Sequence, residues 1–187
     1  MPPHDLIFNA NATPDAAYGP EQAEVLNAKG LSEAHNIISA WPGYSPTPLH
    51  DLPGLSAETG VAAIHYKDES HRFDLKSFKP LGGAYAVTQL LINKLPDIVG
   101  VNKIEAGDLL AGTYSKACSE ITVTAATDGN HGRSVAWGAQ MFGCKCVIFI
   151  NAAVSAGREQ AIAAFGATVH RTPGSFDDAV RIAQETA

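Results

Sequence analysis

The sequence predicts an α/β protein built on an open, mostly parallel sheet with helices on both faces. Three observations predict this fold: short apolar runs alternate with segments of helical periodicity, the connections are brief, and the run at 145–150 lacks polar alternation. A strand without alternation is typical of a sheet covered on both sides. Strand–helix–strand order with short loops favours parallel pairing. Ligands bind such sheets at the carboxyl ends of the strands.

The individual elements can be placed in chain order. Residues 1–40 are expected to form an irregular leader with one short helix that starts near Leu31. The stretch 41–48 ends that helix, because its three prolines exclude regular helical backbone. Ser175 is the expected N-cap of a final helix. The other predicted elements are strands at 61–66, 121–124, 145–150 and 167–170, and helices at 80–95, 132–142 and 155–165.

Composition excludes several classes of protein. The 187 residues carry 13 basic and 19 acidic side chains, a formal charge of −6, and 45% of them are hydrophobic. This apolar content excludes a disordered acidic chain. The acidic balance argues against a nucleic-acid partner, which needs a basic surface. The longest apolar runs are far shorter than the roughly 20 residues of a membrane-spanning helix, so no membrane partner is expected.

The cysteines indicate a reducing compartment. Cys118, Cys144 and Cys146 cannot all pair within one chain. Cys144 and Cys146 are closer together than the cysteines of common zinc sites, and no cluster of further ligands follows, so no metal site is predicted. These thiols are expected to pack as small buried hydrophobic residues. Because no secretory signal precedes them, we predict a cytoplasmic protein.

The stretch SFKPLGG at 77–83 is the first with unusual chemistry. Lys79 precedes a predicted helix, where the macrodipole disfavours an ammonium ion and favours the free amine that forms a Schiff base. Gly82 and Gly83 leave space beside the backbone for a planar cofactor. The alternative interpretation is an ordinary solvated lysine on a loop.

The stretch TDGNHG at 127–132 is the second, and it lies between a predicted strand and a predicted helix. Four of its side chains can form hydrogen bonds, and its glycines allow backbone amides to face a ligand. A helix N-terminus of this kind binds carboxylates and phosphates. The alternative is a capped turn without a ligand.

Together the two stretches resemble the pyridoxal-phosphate enzymes of the tryptophan-synthase-β fold, or fold type II, which include serine and threonine dehydratases. Within that group the chain most resembles the diaminopropionate ammonia-lyases, in the stretches at 67–73, 79–86 and 127–137. Asp128 is the most discriminating residue, because dehydratases usually carry a small residue there. The resemblance implies that 41–187 form the N-terminal α/β part of such an enzyme.

The resemblance also implies a cofactor site. Lys79 would form a Schiff base with pyridoxal 5'-phosphate, and Asn130 would hydrogen-bond the phenolic oxygen of the cofactor. Backbone amides from Gly129 to Gly132, with His131 between them, would bind the carboxylate of an amino-acid substrate at the helix start.

Asp128 would be the second catalytic residue, acting as a general base at the substrate Cα. The implied reaction is α,β-elimination of 2,3-diaminopropionate to pyruvate and ammonia. Two alternatives remain: a dehydratase that acts on serine or threonine, and a non-catalytic fragment or binding module.

The chain departs from that family in two places. It lacks the glycine-rich loop that grips the cofactor phosphate, so it is expected to be truncated, with its second domain largely missing and little activity alone. The residues at 151–153, Asn-Ala-Ala, replace a more usual Pro-Lys-Gly turn. Members of the fold are often dimers, so a homodimer is a further expectation.

Overall fold

The first half of the chain contains several short elements and then one long helix. The computed structural model describes residues 7–13 and 15–187. Residues 1–6 and 14 of the predicted leader therefore lie outside the described residues. In chain order the elements are α1 (Pro20–Val25), α2 (Ala28–Ser39), β1 (Leu49–Asp51), α3 (Pro53–Thr59), β2 (His65–Lys67), a 3-10 helix (Glu69–Asp74) and α4 (Pro80–Val99). Strands β1 and β2 pair antiparallel as a separate small sheet.

The second half alternates between strands and helices. Its elements are α5 (Ala106–Leu110), α6 (Ser115–Cys118), β3 (Thr122–Ala126), α7 (Asn130–Phe142), β4 (Lys145–Asn151), α8 (Ala156–Ala163), β5 (Thr168–Thr172) and α9 (Phe176–Thr186). Strands β3, β4 and β5 form a parallel sheet in that order. The predicted α/β fold with a parallel sheet is therefore confirmed.

Helices cover both faces of the central strand β4. Ile148 and Ile150 are fully buried in the larger hydrophobic core, which also contains side chains of α4, α7 and α8. Phe149 points to the opposite face and packs with Ala179 and Ala183 of α9. Both faces of β4 are apolar for this reason, which explains the missing polar alternation in the sequence.

Helices α4 and α7 pack closely because small residues line their contact. A Cβ placed on Gly83 would lie 2.0 Å from Ser134 Oγ, and one on Gly138 would lie 2.8 Å from Ala84 Cα. The early part of α4 thus contacts the early part of α7, and the contacts continue toward both C-terminal ends, so the helices run in the same direction. Their N-terminal ends, which carry the two unusual stretches, lie side by side.

Some predicted elements differ from the observed ones. The strand predicted at 61–66 is reduced to β2, because its partner β1 has only three residues and ends before α3 starts at Pro53. The leader is less irregular than predicted: it contains α1, and α2 already begins at Ala28, where the side chain of Asn27 accepts the Gly30 N–H at 2.7 Å. Helix α4 continues to Val99, beyond the predicted end at 95.

The predicted N-cap of the final helix is confirmed. Ser175 caps α9, since its Oγ accepts the Asp178 N–H at 3.3 Å while the Asp178 carboxylate accepts the Ser175 N–H at 2.8 Å. Cys118 and Cys146 are buried. Burial raises the pKa of Cys144 to about 12 and that of Cys146 to about 11. Among the described helices, none is both long and apolar enough to cross a membrane.

Candidate cofactor and substrate site

A cleft of about 500 Å³ opens at the carboxyl ends of the parallel strands. This volume lies within the range of roughly 300–1,000 Å³ that is typical of small-molecule sites. Lys79, which precedes α4, and Asp128, which follows β3, lie about fifty residues apart in sequence and both line this cleft. The complete lining is Lys79, Ala126, Thr127, Asp128, Gly129, Asn130, His131, Arg158 and Phe176.

The backbone of Lys79 is fixed, whereas its side chain is exposed. The Lys79 carbonyl accepts the N–H groups of Gly82 at 3.0 Å and Gly83 at 2.8 Å, and Pro80 follows as the first residue of α4. A proline fits this position because its missing N–H has no helical partner there. Gly83 differs from its predicted role, since the space beside it is filled by Ser134 of α7 and not left for a cofactor.

The loop before Lys79 is strained and tethered. Phe73, Asp74 and Lys76 have φ values of +49°, +57° and +53°, in the left-handed region that side chains rarely adopt. Such strain persists only where surrounding contacts hold it. One contact comes from Arg133, whose Nη1 donates to the Leu75 carbonyl at 3.1 Å. Arg133 therefore links the lysine loop to α7.

Thr127 determines the shape of the second turn. It is 2% exposed, and its Oγ1 accepts the N–H groups of Gly129 and Gly132, each at 2.9 Å. Gly129 has a φ of +155°, which favours glycine. A Cβ on Gly132 would lie 2.4 Å from Thr127 Cγ2, so this position also requires glycine.

The predicted anion site is smaller than the sequence suggested. The amides of Gly129 and Gly132 already donate to Thr127. Within 7–13 and 15–187, the N–H groups of Asn130 and His131 have no acceptor. Because they lie in the first turn of α7, they combine free donors with the positive end of the helix dipole. We therefore narrow the predicted carboxylate-binding amides to these two.

Asp128 is held from the neighbouring strand. Its Oδ1 accepts the Asn151 Nδ2–H at 2.6 Å, and its backbone carbonyl accepts a long hydrogen bond from Arg158 at 3.4 Å. Its Oδ2 has no partner among the residues that the structure describes, and its side chain is exposed. Sequence reasoning missed both Asn151 and Arg158. The signal for Asn151 was the Asn-Ala-Ala sequence at 151–153, which stands where related enzymes usually have a Pro-Lys-Gly turn.

The cleft contains charges of both signs. Lys79 and Arg158 supply positive charge, and Asp128 supplies a carboxylate. The pKa of His131 is lowered, first because its ring loses hydration against the protein and second because the Lys79 ammonium lies nearby. Its imidazole is therefore neutral at pH 7, since the ordinary value is already 6.5. The balance favours an amphoteric or anionic ligand.

These residues fit pyridoxal phosphate. The Lys79 amine is the group that condenses with an aldehyde. The first-turn amides of α7 and the guanidinium of Arg158 are donors for anionic oxygens. Asn130, which lines the cleft beside them, has a side-chain amide that can donate to a phenolic oxygen.

Comparison with known proteins identifies the class. The family of pyridoxal-phosphate dependent enzymes matches residues 40–187, and the chain belongs to this family. A diaminopropionate ammonia-lyase from Salmonella typhimurium is 38% identical over 185 residues, which cover 98% of this chain and 45% of that protein. The chain thus spans less than half the length of this curated relative.

Solved structures agree with this relationship. The holo diaminopropionate ammonia-lyase of Escherichia coli matches with a TM-score of 0.75 and 37% identity, over 86% of this chain and 40% of that one. The same enzyme in complex with an aminoacrylate-PLP azomethine reaction intermediate matches with a TM-score of 0.72 and 37% identity, over 86% and 38% of the two chains. The resemblance found in the sequence is confirmed, as is the fold type II architecture.

Proposed function

We propose that this chain is the lysine-bearing part of a pyridoxal-phosphate dependent ammonia-lyase that converts 2,3-diaminopropionate to pyruvate and ammonia. The observation that carries the proposal is the convergence of Lys79 and Asp128 on one cleft. A primary amine suits a Schiff-base cofactor, and a carboxylate opposite it suits a substrate with a second ammonium group. The similarity to diaminopropionate ammonia-lyases over 98% of the chain supports the same substrate.

Each group has a proposed task. Lys79 holds the cofactor through its Nζ, and Asn130 orients the ring through its side-chain amide. The N–H groups of Asn130 and His131 bind the substrate carboxylate at the start of α7. Asp128 accepts the Cα proton on Oδ2, the oxygen that Asn151 leaves free. When bound, pyridoxal phosphate supplies the electron sink that makes this proton acidic.

The proposed roles depend on how these groups are placed. The neutral imidazole of His131 leaves its neighbour Lys79 without a second cation beside it. The hydrogen bond from Arg133 holds the lysine loop against α7, and the hydroxyl of Thr127 fixes the turn at 127–132. A positioned general base contributes about 100- to 10,000-fold to a proton transfer.

The proposal extends to the rest of the protein in three respects. Residues 41–187 would correspond to the N-terminal α/β part of the enzyme. The protein would act in the cytoplasm, in keeping with its unpaired cysteines. A homodimer stays a prediction, which light scattering of the purified protein can test.

A first experiment tests cofactor binding. Pyridoxal phosphate is added to the purified chain, the visible Schiff-base absorbance is recorded, and borohydride reduction followed by peptide mapping locates the modified lysine. We expect the label on Lys79 and its loss in Lys79→Arg, which keeps the charge but cannot form the imine. Lys94→Arg is the matched control, because Lys94 is an exposed lysine on α4. A label spread evenly over surface lysines would contradict the proposal.

A second experiment tests the substrate. Pyruvate release is measured with D- and L-2,3-diaminopropionate beside serine and threonine. We expect release from diaminopropionate and a loss of about 100-fold or more in Asp128→Asn, because the general base is removed. Equal or faster release from serine would favour the dehydratase alternative. A Lys79-linked imine that never yields pyruvate would favour a binding module.

A further inference from the structure

We infer that Asn151 is a positioning residue, which fixes the carboxylate of Asp128 so that Oδ2 faces the cleft. The inference rests on the proposed function of Asp128 and adds a residue to it. Asn151 does not line the cleft and touches neither substrate nor cofactor in this assignment. It acts through Asp128 alone.

The hydrogen bonds of Asn151 define its orientation. Its side chain is 8% exposed, its Nδ2 donates to Asp128 Oδ1 at 2.6 Å, and its Oδ1 accepts the Ala153 N–H at 2.9 Å. The reversed amide would place oxygen against a carboxylate and NH₂ against an N–H, so the network permits one orientation. One end of the amide holds its own loop, and the other end holds Asp128.

Arg171 holds the backbone around this asparagine. Its Nη1 donates to the carbonyls of Asn151, Ala152 and Val154, at 3.3, 2.9 and 2.7 Å. Its Nη2 pairs with Glu159 on α8. The guanidinium thus fixes the backbone of the loop after β4, and the Asn151 side chain cannot rotate away from Asp128 without losing its hydrogen bond from the Ala153 N–H.

The contact orients an otherwise exposed acid. The Asp128 side chain is on the surface of the turn, where rotation about χ1 costs little. A short hydrogen bond to a buried, braced amide selects one rotamer and occupies one oxygen. The other oxygen is left to accept a proton, and misplacing a reacting group by about 1 Å can cost about 100-fold in rate.

Three variants separate positioning from structure. Asn151→Asp keeps the acceptor for the Ala153 N–H but replaces the donor with a carboxylate that repels Asp128. Asp128→Asn removes the base. The swapped double variant, Asp128→Asn with Asn151→Asp, restores a hydrogen bond between the two positions but puts the carboxylate at the wrong one. Asn102→Asp makes the same chemical change at an exposed position in the loop after α4 and is the matched control.

The first readout needs no cofactor. NMR three-bond couplings report χ1 of Asp128 in the unloaded chain. We expect one rotamer in the wild type and in Asn102→Asp, and averaged couplings in Asn151→Asp. A single rotamer that persists in Asn151→Asp overturns the inference, whether or not the chain binds pyridoxal phosphate.

The second readout uses the protein loaded with pyridoxal phosphate and follows exchange of the substrate Cα proton in deuterated water. We expect Asn151→Asp to lower the maximal rate by about 10- to 100-fold, with KM within about twofold and the Lys79 imine absorbance unchanged. The swapped variant should regain the unfolding midpoint of the wild type while exchanging as slowly as Asp128→Asn. Exchange in Asn151→Asp within about threefold of the wild-type rate, which is roughly the error of such rates, overturns the inference.

If the wild type forms no imine on Lys79, the proposed function fails, and the rotamer of Asp128 alone decides whether Asn151 orients it. If the imine forms and exchange depends on Asp128 but not on Asn151, the proposed function stands and this inference is wrong.

Discussion

Thr127→Val should destabilise the protein strongly although it hardly changes the shape of the side chain. The threonine hydroxyl accepts two backbone N–H groups, those of Gly129 and Gly132, each at 2.9 Å. Valine removes that acceptor and buries a methyl group in its place. Both amides then lose their partner at the start of α7, next to the candidate cofactor site.

The magnitude follows from the burial of the two amides. Gly132 is buried, so its unsatisfied N–H costs about 1–3 kcal/mol. Gly129 is half-buried, so water can partly satisfy its N–H, and losing the hydrogen bond from this N–H to Thr127 costs about 0.5–1.5 kcal/mol. The expected loss in free energy of unfolding is therefore about 1.5–4.5 kcal/mol. A typical domain has only about 5–15 kcal/mol in total.

Urea unfolding of the 187-residue chain measures this difference. The control is Thr127→Ser, which keeps the hydroxyl and loses one methyl group, at an expected cost of about 1 kcal/mol. If Thr127→Val lost less than Thr127→Ser, the hydroxyl would not hold the turn and the reasoning would fail. Equal m-values in the variants would show that the same cooperative unit unfolds.

Three further predictions concern packing, thiols and pH. Gly138→Ala should lower the free energy of unfolding by about 1–3 kcal/mol although alanine has the better helix propensity, because the new Cβ would lie 2.8 Å from a Cα of α4. Gly157→Ala is the control in the same urea assay and should be neutral or stabilising, because the space around its Cβ is open. Cys144 and Cys146 should react slowly with iodoacetamide in the native chain and rapidly in urea, because burial raises their pKa to about 12 and about 11; rapid native labelling would contradict this. Because the pKa of His131 is lowered in the folded chain, the unfolded chain takes up the proton first as the pH falls. The free energy of unfolding in urea should therefore decrease as the pH drops through the ordinary value of 6.5, and decrease less steeply in His131→Asn.

The sheet could be predicted because burial dictates its sequence. The run at 145–150 is apolar on both sides, and the observed β4 differs from it by one residue, Asn151. The leader could not be predicted as well, because α1 has no buried residue and therefore no apolar period to reveal it. The strand predicted at 61–66 failed for the opposite reason: its side chains are apolar, yet the fold leaves residues 61–64 outside the sheet.

The sequence was sufficient to predict which residues form the site, but not which hydrogen bonds they make. Lys79 and Asp128 were identified as candidates from their neighbours in sequence, and the parallel packing of α4 and α7 brings them to one cleft. The commitment of two amides to Thr127 was not predictable, because glycine-rich turns leave several bonding patterns open. The side chain of a residue inside the motif, and not its glycines, decides which amides stay free.

The sequence analysis did not identify Asn151 as a partner of Asp128, although the pairing of β3 with β4 places the two residues together. In the observed register Ala126 pairs with Phe149, so the residues two positions further on, Asp128 and Asn151, emerge side by side at the carboxyl edge of the sheet. Parallel strands place such pairs together whatever their distance along the chain. A search for partners of a candidate acid should therefore begin with the residue at the matching position of the neighbouring strand, since that residue is held by the sheet itself. Here it is a buried amide whose N–H donates to that carboxylate, and such a neutral donor can orient a carboxylate without neutralising it.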